Sequence, residues 1–399
     1  MNRREYLAMG GIVVSGTLAG CSETSADDPN DSEDGGNGEE SGEPSFTDIG
    51  ISTAGSTTVD GEFTVTVSAT NEGGAAGDYE DELVATEGPI DLEESVELTD
   101  VAPDETATAD FGPFSVDHVT ECAFELSEAD VDHELSIEPL TAAVGETLSL
   151  GDGLRATLTD VRYQSSLFYE EYVSELFATQ NAGRVFTSPD DATLVVFELE
   201  LENVGTSSVS LSPAEFAFSE SEFYTSLADQ SLESAVIDDD PLVGSGETLL
   251  GTGVTVDFWL LGQLESTAAD GTATLDYHRT SESAADLQWE LPLEGEDGPA
   301  FPTFELESVD APAEASGAYD ITATIRNTSD VDGRFRGVFQ YENDDEWWKL
   351  TSATKSRLDV GIAAGESREI RVTNESSSSG EYTYRLAPFD DEWVTTLSS

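Results

Sequence analysis

In three places along the chain a run of alternating apolar and polar residues stops at an asparagine. Phe63, Val65, Val67 and Ala69 alternate with polar neighbours and run into Asn71-Glu72-Gly73-Gly74. Val195, Phe197, Leu199 and Leu201 alternate with Glu198, Glu200 and Glu202 before Asn203-Val204-Gly205, and Tyr319, Ile321, Ala323 and Ile325 alternate with Asp320, Thr322 and Thr324 before Asn327-Thr328-Ser329. Period-two alternation sets one face of a strand on a core and the other in water, and Asn with Gly or Ser after it supplies the turn that ends the strand. Each strand is answered downstream by a turn with Glu before Thr or Ser: Pro103-Asp104-Glu105-Thr106, Gly246-Glu247-Thr248 and Gly365-Glu366-Ser367. The interval leaves room for about three short strands, so the repeat predicts tandem two-sheet sandwiches. The expectation is an all-β chain of three sandwich domains over 45–140, 141–295 and 296–399, with short linkers near Leu140 and between Glu294 and Pro302.

One segment departs from this pattern. From Ser166 to Phe177, Phe168, Tyr172 and Leu176 recur at helical spacing, with Tyr169, Val173 and Phe177 one position round. Glu170 falls one residue late for a capping box with Ser166. A short helix inserted between the first strands of the middle domain is predicted, as a lid on one open end of the sandwich or as an element that binds a partner or gates a ligand.

The strand ending in Asn-x-Gly with a later Gly-Glu-Thr turn resembles the immunoglobulin-like domains of cell-surface lipoproteins. The middle domain, with Val144-Gly145-Glu146-Thr147, the stretch from Leu199 to Pro213, and Phe216, Phe218 and Tyr224, is similar to the telokin-like immunoglobulin family. The outer two are similar to shorter adhesion-type modules. The resemblance covers about 350 residues and implies a fold rather than an activity, since such sandwiches host many functions.

Charge narrows the setting. Asp and Glu number 84 against 15 Lys and Arg, for a net charge of −69, yet hydrophobic residues make up 38%, enough for a core. Lys occurs only at Lys349 and Lys355. Such a composition suits a hydrated acidic surface in molar salt, where self-repulsion is screened over about 3 Å. Nucleic acid and anionic lipid would be repelled. The charge is also uneven: 22–140 holds no Lys or Arg, 141–295 holds four Arg, and 296–399 holds the other nine basic residues.

The first residues read as an address. Arg3-Arg4 followed by Glu5, Tyr6 and Leu7 resembles a twin-arginine export signal, and Leu18-Ala19-Gly20-Cys21 resembles a lipobox, which implies lipid on Cys21. The apolar stretch between them is short of a membrane span. From Ser22 to Pro44 the chain is Ser, Gly, Asn, Asp and Glu without a base or an aromatic, a disordered acidic tether. With the sandwiches, these features resemble a halophilic, archaeal-type surface lipoprotein, anchored to the outer face of the cell membrane.

Candidate chemistry is sparse. With Cys21 lipidated, Cys122 has no disulfide partner, and it shares a strand face with Phe124 and Leu126 as a small core residue. His118, His133 and His278 show no metal-binding spacing. Asp238-Asp239-Asp240 and Asn343-Asp344-Asp345-Glu346 are oxygen-rich but lack the spacing of a calcium loop. No nucleophile elbow, P-loop or dinucleotide fingerprint occurs, so neither a cofactor nor catalysis is expected. Trp347-Trp348 in a strand would send one ring to the core and the other outward, bordered by Tyr341 or Arg336, as a candidate contact for a sugar or a protein. Asn30, Asn327 and Asn374 each begin a glycosylation sequon, and Asn327, in a turn, is expected to be accessible. The functional expectation is a non-catalytic surface lipoprotein for protein contact or adhesion. Its alternatives are a solute- or carbohydrate-binding lipoprotein beside a transporter or an extracellular enzyme, and a surface enzyme.

Overall fold

The structure is a computed structural model of the chain, and it describes residues 42–175, 178–189, 192–218, 223–224, 226–227, 230–231, 247–266, 273–279, 284–293, 299–342, 349–350, 357–374 and 379–398. Among these the only helical element is a 3-10 turn at Pro213–Glu215. The expected all-β architecture is what forms.

The first strands are β1 (Phe46–Gly55), β2 (Glu62–Asn71), β3 (Gly77–Glu87), β4 (Glu93–Val101), β5 (Glu105–Ser115), β6 (Thr120–Leu126) and β7 (Val131–Ile137). They make one sheet in the order β1-β2-β5 and another in the order β4-β3-β6-β7. The alternating residues of β2 are buried, as are Leu83, Cys122, Phe124 and Leu126 of the second sheet. Phe46 and Tyr79 meet across the two sheets with ring centroids 5.4 Å apart. Three strands against four is the immunoglobulin-like sandwich that the alternation predicts.

Next come β8 (Leu140–Ala143), β9 (Thr147–Gly151), β10 (Leu154–Gln164), β11 (Ser166–Glu175), β12 (Ala178–Thr187), β13 (Ala192–Asn203), β14 (Val209–Leu211), β15 (Phe216–Phe218), β16 (Ser226–Leu227), β17 (Gln230–Ser231), β18 (Thr248–Leu250), β19 (Thr255–Glu265), β20 (Thr274–Tyr277) and β21 (Leu287–Glu290). The main sheets run β19-β13-β10-β9 and β15-β20-β21-β8, with β11-β12, β14-β18 and β16-β17 as pairs. Phe197 against Phe218 at 4.9 Å and Phe216 against Phe258 at 6.0 Å join the two main sheets.

The last strands are β22 (Phe304–Asp310), β23 (Glu314–Ala315), β24 (Tyr319–Asn327), β25 (Gly333–Glu342), β26 (Lys349–Leu350), β27 (Arg357–Ile362), β28 (Ser367–Asn374), β29 (Gly380–Ala387) and β30 (Glu392–Leu397). They form a sheet β22-β24-β28 and a sheet β23-β30-β29-β25-β26, with β27 also on β25. One core unites both sheets, including Ile321, Ile325, Phe335, Phe339 and Leu386. The chain divides into two compact units, Met1–Leu140 with Glu282–Asp286, and Thr141–Ser281 with Leu287–Ser399. In the first unit, buried Asp286 accepts the Val119 N–H at 2.8 Å, which holds the returning segment in place.

The three repeat asparagines make the same clamp. Asn71, Asn203 and Asn327 are each fully buried. Their Oδ1 atoms accept the N–H two residues on, from Gly73 at 2.9 Å, Gly205 at 2.9 Å and Ser329 at 3.1 Å. Their Nδ2 groups donate to the carbonyl four residues on, of Ala75 at 2.8 Å, Ser207 at 2.9 Å and Val331 at 2.8 Å. The second Nδ2 hydrogen reaches a distant carbonyl, of Val101 at 2.8 Å, Leu250 at 3.0 Å and Ile362 at 3.1 Å. Each of these carbonyls precedes a turn with a left-handed residue, Asp104 (φ 63°), Gly253 (φ 71°) and Gly365 (φ 68°). The middle turn is therefore Gly251-Thr252-Gly253-Val254, not the Gly246-Glu247-Thr248 expected from sequence; Thr248 opens β18 instead. A left-handed backbone position is what the turn requires, and the Glu is dispensable.

The predicted helix at 166–177 is also corrected: β11 pairs with β12 in an antiparallel hairpin. Leu167 and Tyr169 pack with Leu194, Val196, Trp259 and Leu261 on the outer face of β13 and β19, while Phe168 on the opposite side of the strand is equally buried. A strand apolar on both faces loses period-two alternation, and its spacing then mimics a helix. This second layer explains why residues 192–197 of β13 are all buried. The hairpin thus covers a sheet face rather than lidding a sandwich end.

In the first sandwich, Asp81 is a buried carboxylate without a cation. Its oxygens accept from Tyr79 Oη at 2.7 Å and from the N–H groups of Glu82 at 2.7 Å, Glu128 at 2.9 Å and Ala129 at 3.1 Å. Burial pushes its pKa up, but these four hydrogen bonds outweigh burial and hold it below the usual carboxylate value. The stability it adds is complete above an unfolded pKa of about 3.9 and is lost as pH falls through the lower folded value. Asp81→Asn is expected to flatten that acid limb relative to the parent in unfolding midpoints measured across pH. Asn71→Ala removes the partner of four backbone groups, the Ser45 and Gly73 N–H and the Ala75 and Val101 carbonyls, and should destabilise by about 3 kcal/mol in denaturant unfolding, with an unchanged m-value. Asn71→Asp, lacking the donors, should not restore the loss.

Candidate functional site

The second unit contains a groove of about 890 Å³, lined by Ala143, Val144, residues 160–166, residues 290–292, Ala300, Pro302, residues 332–334 and Arg336. The end of β10 supplies one wall and the start of β25 the other. Its volume lies within the range of ligand pockets, which is about 300–1,000 Å³. Three of the chain's few arginines border it, and each is already engaged. Arg162 Nη2 bonds Glu198, and its Nε lies 3.9 Å from Asp160. Arg334 grips Asp359 with two nitrogens, Nη2 at 2.9 Å. Arg336 Nη1 donates to Gln164 Oε1 at 2.7 Å. Tyr163 contributes a hydroxyl with no partner among the described residues, and burial pushes its pKa up to about 12. With its three arginines engaged by protein acceptors, the groove offers hydrogen-bonding groups, apolar surface and the carboxylates of Asp160, Glu290 and Asp332.

The residues singled out from sequence are not gathered there. Tyr341 is half-buried against the core, 5.8 Å from Tyr382 and 6.3 Å from Tyr384, so it is a packing residue on the inner face of β25. Trp347 and Trp348, Asp238-Asp239-Asp240 and Asn343-Asp344-Asp345-Glu346 lie outside the described residues, as do Arg3, Arg4, Cys21 and Asn30. Asn327 is fully buried in its clamp, which corrects the expectation that it is accessible. Asn374 is buried too, and its Nδ2 donates to Tyr319 Oη at 2.9 Å and to Tyr384 Oη. Cys122 is a free, buried thiol whose pKa burial pushes up, as its place beside Phe124 suggests. No cluster of His, Cys, Asp and Glu suited to a metal occurs among the described residues. Sequence reasoning missed Arg162, Tyr163 and Arg334. No local signal marked them, since the arginines beyond Arg4 are spread from Arg155 to Arg385.

No family model matches this chain, and no curated protein does. Among solved structures it is similar to a three-immunoglobulin-domain fragment of titin in an E-to-A mutated variant, at 11% identity and a TM-score of 0.23, covering 89% of this chain and 99% of that one. An I-band titin fragment matches at 12% identity and 0.21 over the same shares. The N-terminal four immunoglobulin domains of Dscam1 isoform 4.4 match at 9% and 0.13, covering 87% of this chain and 99% of that one. At such scores the likeness carries no argument, and the immunoglobulin-like character stands on the sheet order and core described above.

A glycosylating enzyme needs the asparagine amide, and in the folded chain the Asn327 amide hydrogens are held by Val331 and Ile362. Glycopeptide mass spectrometry of folded protein should therefore find Asn327 unmodified.

Proposed function

We propose that this chain is a non-catalytic cell-surface lipoprotein that acts as a protein-contact or adhesion module in concentrated salt. In this reading Arg3-Arg4 directs export of the folded chain, lipid on Cys21 anchors it to the outer face of the membrane, and residues 22–44 form the tether. Three tandem immunoglobulin-like domains, the middle one telokin-like, carry the contact surfaces. The observation that supports it best is the use of the buried polar side chains. Asn71, Asn203, Asn327 and Asp81 all close turns within sandwiches rather than converging on a cleft. A chain built this way from repeated units presents surface, and a net charge of −69 keeps it soluble and turns away nucleic acid.

A second reading, solute or carbohydrate binding, is favoured by the groove and its unpartnered Tyr163 hydroxyl. The two readings separate in one pair of experiments on the full chain in molar salt. Pull-down from surface membranes should recover a protein partner, with binding unaffected by Tyr163→Phe. No partner, together with a glycan or solute that binds the parent and is weakened at least tenfold by Tyr163→Phe or by Trp347→Ala with Trp348→Ala, would overturn the adhesion reading.

A further inference from the structure

The β11–β12 hairpin has two neighbours, one on each side. Leu167 and Tyr169 enter the core above β13 and β19. On the other side the hairpin lies against β25 of the last sandwich. Phe168 sits between two guanidiniums there, with Arg336 5.9 Å and Arg357 5.3 Å from its ring centroid. Arg357 Nη2 also reaches Glu170 Oε1 at 3.2 Å, and Arg336 Nη1 donates to the Ser166 carbonyl as well as to Gln164. Both arginine side chains are mostly buried, at 15% and 12% exposure. The outer face of β25, which would be polar in an isolated sandwich, carries fully buried Val338 and Gln340 at this place. Alternation along five residues thus sends odd positions to one sandwich and even positions to the next.

We infer that this hairpin is an intrachain latch that locks the middle and last sandwiches into one rigid body, with Phe168 between Arg336 and Arg357 as its bolt. Its chemistry suits concentrated salt. The guanidinium contacts to the buried Phe168 ring and the mostly buried hydrogen bonds to Gln164, Ser166 and Glu170 are screened far less than exposed pairs, even where the Debye length falls to about 3 Å at 1 M. A joint of exposed ion pairs would loosen under the same conditions. Because Gln164, Ser166 and Arg336 also line the groove, the latch fixes the groove's width and keeps it preformed. The inference does not depend on what the protein binds.

The test is a pulsed-dipolar distance measurement on the full chain, with nitroxides at Glu200→Cys and Glu369→Cys in a Cys21→Ser, Cys122→Ala background. Both label sites are exposed, one on β13 and the other on β28. The parent should give one narrow distance peak that persists in about 1 M salt. Phe168→Leu combined with Arg357→Gln should broaden it or add a second population, with the strand signal in circular dichroism retained. Phe168→Leu alone keeps the apolar bulk and serves if the double variant fails to fold; it too should broaden the peak. A broad distribution in the parent, or an unchanged one in the folded variant, would overturn the inference.

Discussion

A buried carboxamide at the end of one strand organises each sandwich. The Asn side chain offers an acceptor and two donors in a rigid plane, and the clamp uses all three on backbone groups. One bond closes the turn after the strand, a second holds the chain four residues on, and the third ties in the turn that leads to the neighbouring strand of the same sheet. Leaving any of these groups unpaired in a core costs about 1–3 kcal/mol, so no other side chain of similar size substitutes. Once these points are fixed, strand register and the facing of the two sheets follow from the alternation of apolar residues.

The second constraint is charge. A chain with 84 acids and 15 bases must keep carboxylates at the surface or find them uncharged donors. The first sandwich, without Lys or Arg, takes the second course at Asp81, where backbone N–H groups and a tyrosine do the work of a cation. It also seats Asp at left-handed turn positions such as Asp60, Asp104 and Asp130, where glycine or asparagine would otherwise serve. Arg336 and Arg357 reach the β11–β12 hairpin, where they meet the Phe168 ring as well as hydrogen-bond acceptors, while arginines such as Arg326 and Arg371 pair with carboxylates of their own sandwich.

What the sequence made legible was set by how local the cause is. The strands ending at Asn71, Asn203 and Asn327 could be read because alternation and turn chemistry sit in adjacent residues. The middle answering turn was misplaced because Gly246-Glu247-Thr248 matched the composition of the other two, while Gly251 to Val254 matched their backbone. The 166–177 segment was misread because Leu167, Phe168 and Tyr169 at its start are buried on both faces of a strand, and no local pattern records that. The groove was invisible for the same reason: β10 and β25 bring Tyr163 and Arg334 together across about 170 residues. Tyr341 illustrates the converse, an aromatic beside an acidic turn that packs inward against Tyr382 and Tyr384.

Side-chain amide hydrogen exchange tests the clamp most directly. If the buried carboxamides organise the sandwiches, the Nδ2 protons of Asn71, Asn203 and Asn327 should exchange only through global opening of their own sandwich, as slowly as the core strand amides beside them. Exchange at the rate of an exposed asparagine, with those backbone amides still protected, would contradict the account.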